Sequence, residues 1–185
     1  MAEVKFSEEH EILRLLRNQD TSDKGFRLLM GTYKERLYYH IRQMVGNHED
    51  ADDVLQNVFI KVYRNVQNFQ EKSSLFTWLY RIATNEALNF LNSNKTKQTV
   101  ALDEVAFNIT NNGSEEFQDE NEIQMKLLQA VNILPDKQKQ VFNLRYNEEM
   151  SYEEISQILE TSVGALKASY HHAVKKIESY IKGTI

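Results

Sequence analysis

The sequence predicts an all-α protein: two small helical domains joined by an acidic flexible linker, the second domain a helix-turn-helix. Three observations lead there. Helix breakers are scarce, with one proline (Pro135) and six glycines in 185 residues. Apolar residues recur mostly three and four positions apart, the spacing that lines one face of a helix. Between Thr99 and Glu122 that pattern lapses into a stretch with seven acidic residues and no Lys or Arg. The second half of this stretch has too little apolar surface to fold by itself.

The elements follow in order. A first helix is predicted over 7–18. A second covers 24–45, with Phe26, Leu29, Met30, Tyr33, Leu37, Ile41 and Met44 on one face. Gly46-Asn47-His48 makes the turn. Residues 49–63 form the cleanest amphipathic helix, its stripe being Ala51, Val54, Leu55, Val58, Phe59 and Val62. A polar connection over 65–74 contains Phe69, and 75–91 is helical again with Leu79, Ile82, Ala83 and Phe90 inward. Four such helices close one core, giving a first domain over 1–98. The linker occupies 99–122. Helical spacing resumes at Ile123 with Leu127, Val131 and Leu134, and Pro135-Asp136 starts a helix through Val141 and Leu144. These open a second domain over 123–185.

The most informative segment is 151–177. Ser151 and Glu154 have the spacing of a capping box, in which hydroxyl and carboxylate each satisfy an orphan backbone N–H. Ile155, Ile158 and Leu159 give a short helix its apolar face, Glu160-Thr161-Ser162 breaks it, and Ser162 can cap a second helix. That helix buries Leu166, Tyr170, Ala173, Val174 and Ile177, leaving Lys167, Ser169, His171, His172, Lys175 and Lys176 outside. A short helix, a tight turn and a basic helix make the pattern whose second helix enters the major groove of DNA. An ordinary helical hairpin with a solvated lysine face is the alternative.

Net charge is −5, against nucleic-acid binding at first sight, but the distribution matters more than the total. From Lys61 to Gln98 there are six basic residues against Glu71 and Glu86, and from Gly164 onward four lysines against Glu178. Catalytic signals are missing from the pattern. His10, His40, His48, His171 and His172 show no metal-ligand spacing, no cysteine joins them, and no Gly-rich phosphate loop occurs. No enzyme activity, metal or cofactor is expected. Neither the N-terminus nor any later run has the apolar length of a signal peptide or membrane span, predicting a soluble cytoplasmic protein.

Two segments of the first domain could bind partners. The outward face of the 49–63 helix shows Asp52, Asp53, Gln56 and Asn57, either a solvated face or a docking surface for a basic partner. Residues 69–85 interleave four aromatics, including the only Trp, with Lys72, Arg81 and small hydroxyls. Such a mixture can stack unpaired bases, although core packing is the commoner use of Phe76, Trp78 and Tyr80.

Taken together, Asp50-Ala-Asp-Asp-Val-Leu-Gln-Asn-Val-Phe59, Phe76-Thr-Trp-Leu-Tyr-Arg-Ile-Ala-Thr-Asn85 and Leu134-Pro-Asp-Lys-Gln-Lys-Gln-Val-Phe142 resemble extracytoplasmic-function (ECF) sigma factors. These are the small two-domain members of the bacterial sigma-70 family, and the likeness spans about residues 26–182. It implies that Asp50, Asp52, Asp53, Gln56, Asn57 and Phe59 dock on the β′ clamp of core RNA polymerase. It implies that Phe69, Lys72, Ser73, Ser74, Trp78, Arg81 and Asn85 capture and melt the promoter minus-ten element, flipping a base into a pocket beside the loop. The linker would thread toward the RNA exit path. Ser162, Lys167, Ser169, Tyr170, His171, His172 and Lys175 would serve the minus-thirty-five element. An anti-sigma factor is a further implied partner.

Three departures stand out. Relatives often carry Gly where this chain has Glu160, arginines where it has Ser169 and His172, and a more basic stretch where it has Asn89, Asn92 and Asn94. A left-handed non-glycine residue costs roughly 1 kcal/mol, so local adjustment of the turn is expected. Missing arginines leave base preference open, because bidentate Arg–guanine contacts are the commonest readout. Two other functions fit fewer residues: a stand-alone helix-turn-helix regulator, and a protein-interaction adaptor that does not bind DNA.

Overall fold

The computed structural model describes residues 2–100 and 120–183. All secondary structure among them is helical. The order is α1 (Ala2–Arg17), α2 (Ser22–Val45), α3 (His48–Asn65), a 3-10 turn (Val66–Asn68), α4 (Leu75–Val100), α5 (Glu120–Asn132), α6 (Asp136–Tyr146), α7 (Tyr152–Leu159) and α8 (Val163–Ile181). They form two compact units, one from α1–α4, the other from α5, α6, α8 and the start of α7. The expected acidic linker lies, over 101–119, outside the described residues.

In the first unit α1 packs on α2 and α2 on α3. Gly25 sits at the first crossing, where a Cβ would come within 2.7 Å of the Leu16 backbone nitrogen and 2.9 Å of the Leu15 Cβ. No side chain fits there. Leu29, Leu37, Ile41, Val58, Val62 and Leu79 are fully enclosed, following the predicted stripes. Gly46 ends α2 in the left-handed conformation, and Asn47 caps α3 by accepting from the Asp50 N–H at 2.8 Å. α4 runs to Val100, beyond the predicted end at 91. Its sequence offers no Gly or Pro anywhere between Gly46 and Gly113 to stop it.

Four buried polar residues among those described, His40, Thr77, Thr84 and Asn143, fall outside the predicted stripes. His40 is 3% exposed, with Nε2 2.9 Å from the Thr84 hydroxyl of α4 and its ring against Tyr80. Burial lowers its pKa to about 4, so the ring is neutral at neutral pH and serves as a hydrogen-bonded tie between α2 and α4.

The second unit closes on Ala130, Val131, Leu134, Phe142, Ala173 and Ile177, with Leu127, Tyr170, Val174 and Tyr180 packed against them. The capping box at α7 is complete: the Ser151 N–H donates to Glu154 Oε2 at 2.8 Å, and the Glu154 N–H to Ser151 Oγ at 3.2 Å. Ser162 caps α8 by accepting from the Ala165 N–H. Between them Glu160 takes φ 50°, ψ 39°. The turn therefore keeps the left-handed geometry that glycine favours and is not adjusted around the larger residue. Glu160→Gly is expected to raise stability by about 0.5–1 kcal/mol, strain relief being partly offset by the greater backbone freedom of the unfolded chain. Denaturant unfolding of the two proteins checks this; a destabilised variant would show that the Glu160 side chain contributes more than its strain costs.

Candidate functional site

Three surfaces carry the predicted site residues. On α3, Asp53, Gln56 and Asn57 are exposed on one face. Asp52 beside them keeps half its side-chain surface, its carboxylate 3.7 Å from His48 Nδ1. Asp50 is half-buried and tied to the cap, accepting from the Asn47 side chain. Phe59 does not join this face. It is 7% exposed and meets Phe26 edge-on at 6.1 Å, as its place in the apolar stripe requires. Sequence reasoning missed two neighbours, Ile60 (48% exposed) and Tyr63 (53% exposed). The available signal was Ile60 itself, a large apolar residue off the stripe. With Gln56 and Asn57 one turn earlier, these residues make an apolar patch with a polar border, the anatomy of a protein interface.

The second surface is the 69–74 connection and the exposed side of α4. Lys72, Ser74, Arg81 and Asn85 are exposed and Ser73 half-buried. Arg81 and Asn85, four apart, share one helix face. Phe69 and Trp78 are brought together but turned inward, their rings 4.9 Å apart and both under 9% exposed. They support the surface from beneath and are not presented on it. Tyr80 is completely buried, whereas Phe76 is half-buried with the Arg36 guanidinium 4.7 Å above its ring. Core packing thus accounts for Trp78 and Tyr80. Ser74 serves locally: its hydroxyl accepts from the Thr77 N–H at 3.1 Å, capping α4. Across the unit, Lys61 of α3 pairs with Glu86 of α4.

The third surface is α8. Lys167, His171, His172 and Lys175 are exposed, Ser169 is half-buried, and Ser162 is exposed but engaged as the cap. Tyr170 is half-buried against the core, stacked on Phe142 at 5.9 Å and edge-on to Tyr152, so most of its ring supports the helix. The Lys167 ammonium lies 5.7 Å from the Tyr152 ring centre and the Arg145 guanidinium 5.2 Å from it. Two cations thus gather on one aromatic at the start of α7. No group of histidines and carboxylates with metal-binding geometry occurs among the described residues, and no described helix is long and apolar enough to cross a membrane.

Known proteins match this arrangement along most of the chain. Residues 29–96 match the Sigma-70 region 2 model and residues 124–177 the Sigma-70, region 4 model. The ECF RNA polymerase sigma-E factor of Haemophilus influenzae is 30% identical over 175 residues, covering 90% of this chain and 92% of that protein. The chain belongs to the ECF sigma factors of the sigma-70 family. SigW of Bacillus subtilis, another ECF sigma factor, is 28% identical over 171 residues, 85% of this chain and 89% of that one. Among solved structures, the sigma factor RpoE of Bartonella quintana superposes with TM-score 0.68 at 21% identity, covering 86% of this chain and 98% of that one. CnrH superposes with TM-score 0.68 at 16% identity, covering 95% and 98%; at these identities the likeness shows the fold. As an ECF sigma factor, this protein binds core RNA polymerase and promoter DNA and initiates transcription.

Proposed function

We propose that this sigma factor divides its work among the three surfaces and catalyses no reaction of its own. Residues 1–98 dock on the β′ clamp through Asp52, Asp53, Gln56 and Asn57, with Ile60 and Tyr63 as the apolar centre. The same unit presents Lys72, Ser73, Arg81 and Asn85 to the minus-ten element. Residues 99–122 link it to the domain over 123–185, whose α8 reads the minus-thirty-five element. The observation carrying this reading is the clean division of α8: Leu166, Ala173 and Ile177 are buried, while Lys167, His171, His172 and Lys175 face outward from a helix entered through a capped, left-handed turn. The protein works in the bacterial cytoplasm, on the nucleoid when bound to polymerase. The Bartonella relative was solved with an anti-sigma factor, and an inhibitory partner of that class is proposed here too.

The test is reconstituted run-off transcription with core polymerase over a promoter library. Lys167 lies near the α8 N-terminus, where backbone N–H groups already favour a phosphate, so Lys167→Ala should weaken every cognate promoter by a similar factor. Ser169→Ala and His172→Ala should instead reorder minus-thirty-five variants, shifting discrimination at one base pair by about 1–3 kcal/mol. A Lys167→Ala profile altered at one base position would overturn this division of roles. Footprinting of duplex DNA without polymerase would favour a stand-alone regulator.

A further inference from the structure

The 69–74 connection is held from outside the matched region-two residues. The Arg17 guanidinium, on the last residue of α1, spans its first turn: Nη1 is 2.6 Å from Glu71 Oε1 and Nη2 donates to the Phe69 carbonyl at 3.1 Å. Just before the connection, Gln67 Nε2 donates to the Leu16 carbonyl at 2.6 Å. Glu71 itself stands at φ 54°, a strained conformation that persists only where its surroundings over-determine it. The far end of the connection is fixed from α1 as well. Glu9 accepts the Leu75 N–H at 3.0 Å, the Phe76 N–H at 3.1 Å and the Tyr33 hydroxyl at 3.0 Å. With Ser74 taking the Thr77 N–H, the opening N–H groups of α4 are occupied by side chains. A DNA phosphate therefore has no place at that helix end, and the start of α4 is set by the protein.

We infer that Arg17 is a positioning residue for minus-ten recognition, holding the 69–74 connection in the shape that a captured base meets; this rests on the assignment of that connection to the minus-ten element. Arg17 and Glu71 keep 46% and 38% of their side-chain surface, and an exposed pair adds little to global stability. Its effect belongs to the local shape of the connection. A captured base is read by a few directed contacts, so a small displacement of the residues that make them is costly.

The test uses the full-length chain with core polymerase, read by run-off transcription on two libraries, one varying the minus-ten element and one the minus-thirty-five. Arg17→Ala and Glu71→Gln should each lower discrimination among minus-ten variants about tenfold, the size of one lost base contact. The minus-thirty-five ranking and the thermal midpoint should stay near those of the parent. Arg17→Lys, keeping the charge and one donor group, should recover part of the loss. Undiminished minus-ten discrimination, or an equal loss in both libraries, would overturn the role. Lys72→Ala and Arg81→Ala run in parallel separate the two readings. If the minus-ten profile responds to them and not to Arg17→Ala, only the role of Arg17 falls. If it is indifferent to all of them, the minus-ten assignment falls with it.

Discussion

Asp52→Lys combined with Asp53→Lys is expected to abolish docking on core polymerase while leaving the protein folded. Asp53 is exposed and Asp52 half-exposed, with the His48 ring Nδ1 3.7 Å from the Asp52 carboxylate. A surface pair of this kind contributes about 0–1 kcal/mol, and two lysines near the start of α3 lose a further few tenths against the helix dipole. The fold tolerates this. Across an interface the sign reversal acts differently, because like charges brought face to face cost several kcal/mol, which at about 1.4 kcal/mol per tenfold is a loss of roughly a hundredfold or more. Co-purification with β′ measures docking and far-UV circular dichroism measures folding. Normal co-purification would remove α3 from the polymerase interface.

Trp78→Ala should destabilise the first unit by about 3–5 kcal/mol, the range for emptying a large aromatic site in a core. A domain is typically stable by about 5–15 kcal/mol, so much of that margin would go. Trp78→Phe, which keeps an aromatic ring against Phe69, should lose far less. The contrast separates two uses of the residue. A tryptophan that only stacked an unpaired base would give up about 1–3 kcal/mol of DNA binding and none of its stability. Trp78 is the only Trp in the chain, so unfolding must be followed by circular dichroism, and two units can unfold in separate transitions. A variant melting like the parent would return Trp78 to the DNA-facing surface.

Features that depend on neighbours in sequence were legible. The Ser151–Glu154 box, the Ser162 cap, the Gly46 turn and the stripe of α3 are local, each fixed within one or two turns of helix. The family motifs were equally legible as motifs, but a motif does not say which way each member points. Phe59, Phe69 and Trp78 lie within or beside the stretches the motifs mark and nonetheless face inward, and Tyr170 is half-buried against its core; for Phe59 and Tyr170 the periodicity already said so. Contacts between residues distant in sequence left no local signal. Glu9 reaches an N–H 66 residues away, and His40 meets Thr84 across two helices. At Glu160 the departure from the glycine common in relatives suggested a locally adjusted turn, yet glutamate takes the left-handed backbone there, with Ser162 capping the next helix two residues on.

The close crossing at Gly25 bears on how promoter preference can be transplanted between relatives. With a Cβ excluded there, α2 at Gly25 rests directly on Leu15 and Leu16 of α1, and a larger residue at 25 cannot be fitted by swapping its rotamer. A graft that begins at residue 29, where the region-two match begins, would join a foreign helix pair to a native α1 and place its seam just beyond this crossing. The workable cut lies upstream of Glu9, so that the first helix travels with the connection it braces. Hybrids built with both seams, read on the donor's promoters, would show whether recognition transfers as a stretch of sequence or as a folded unit.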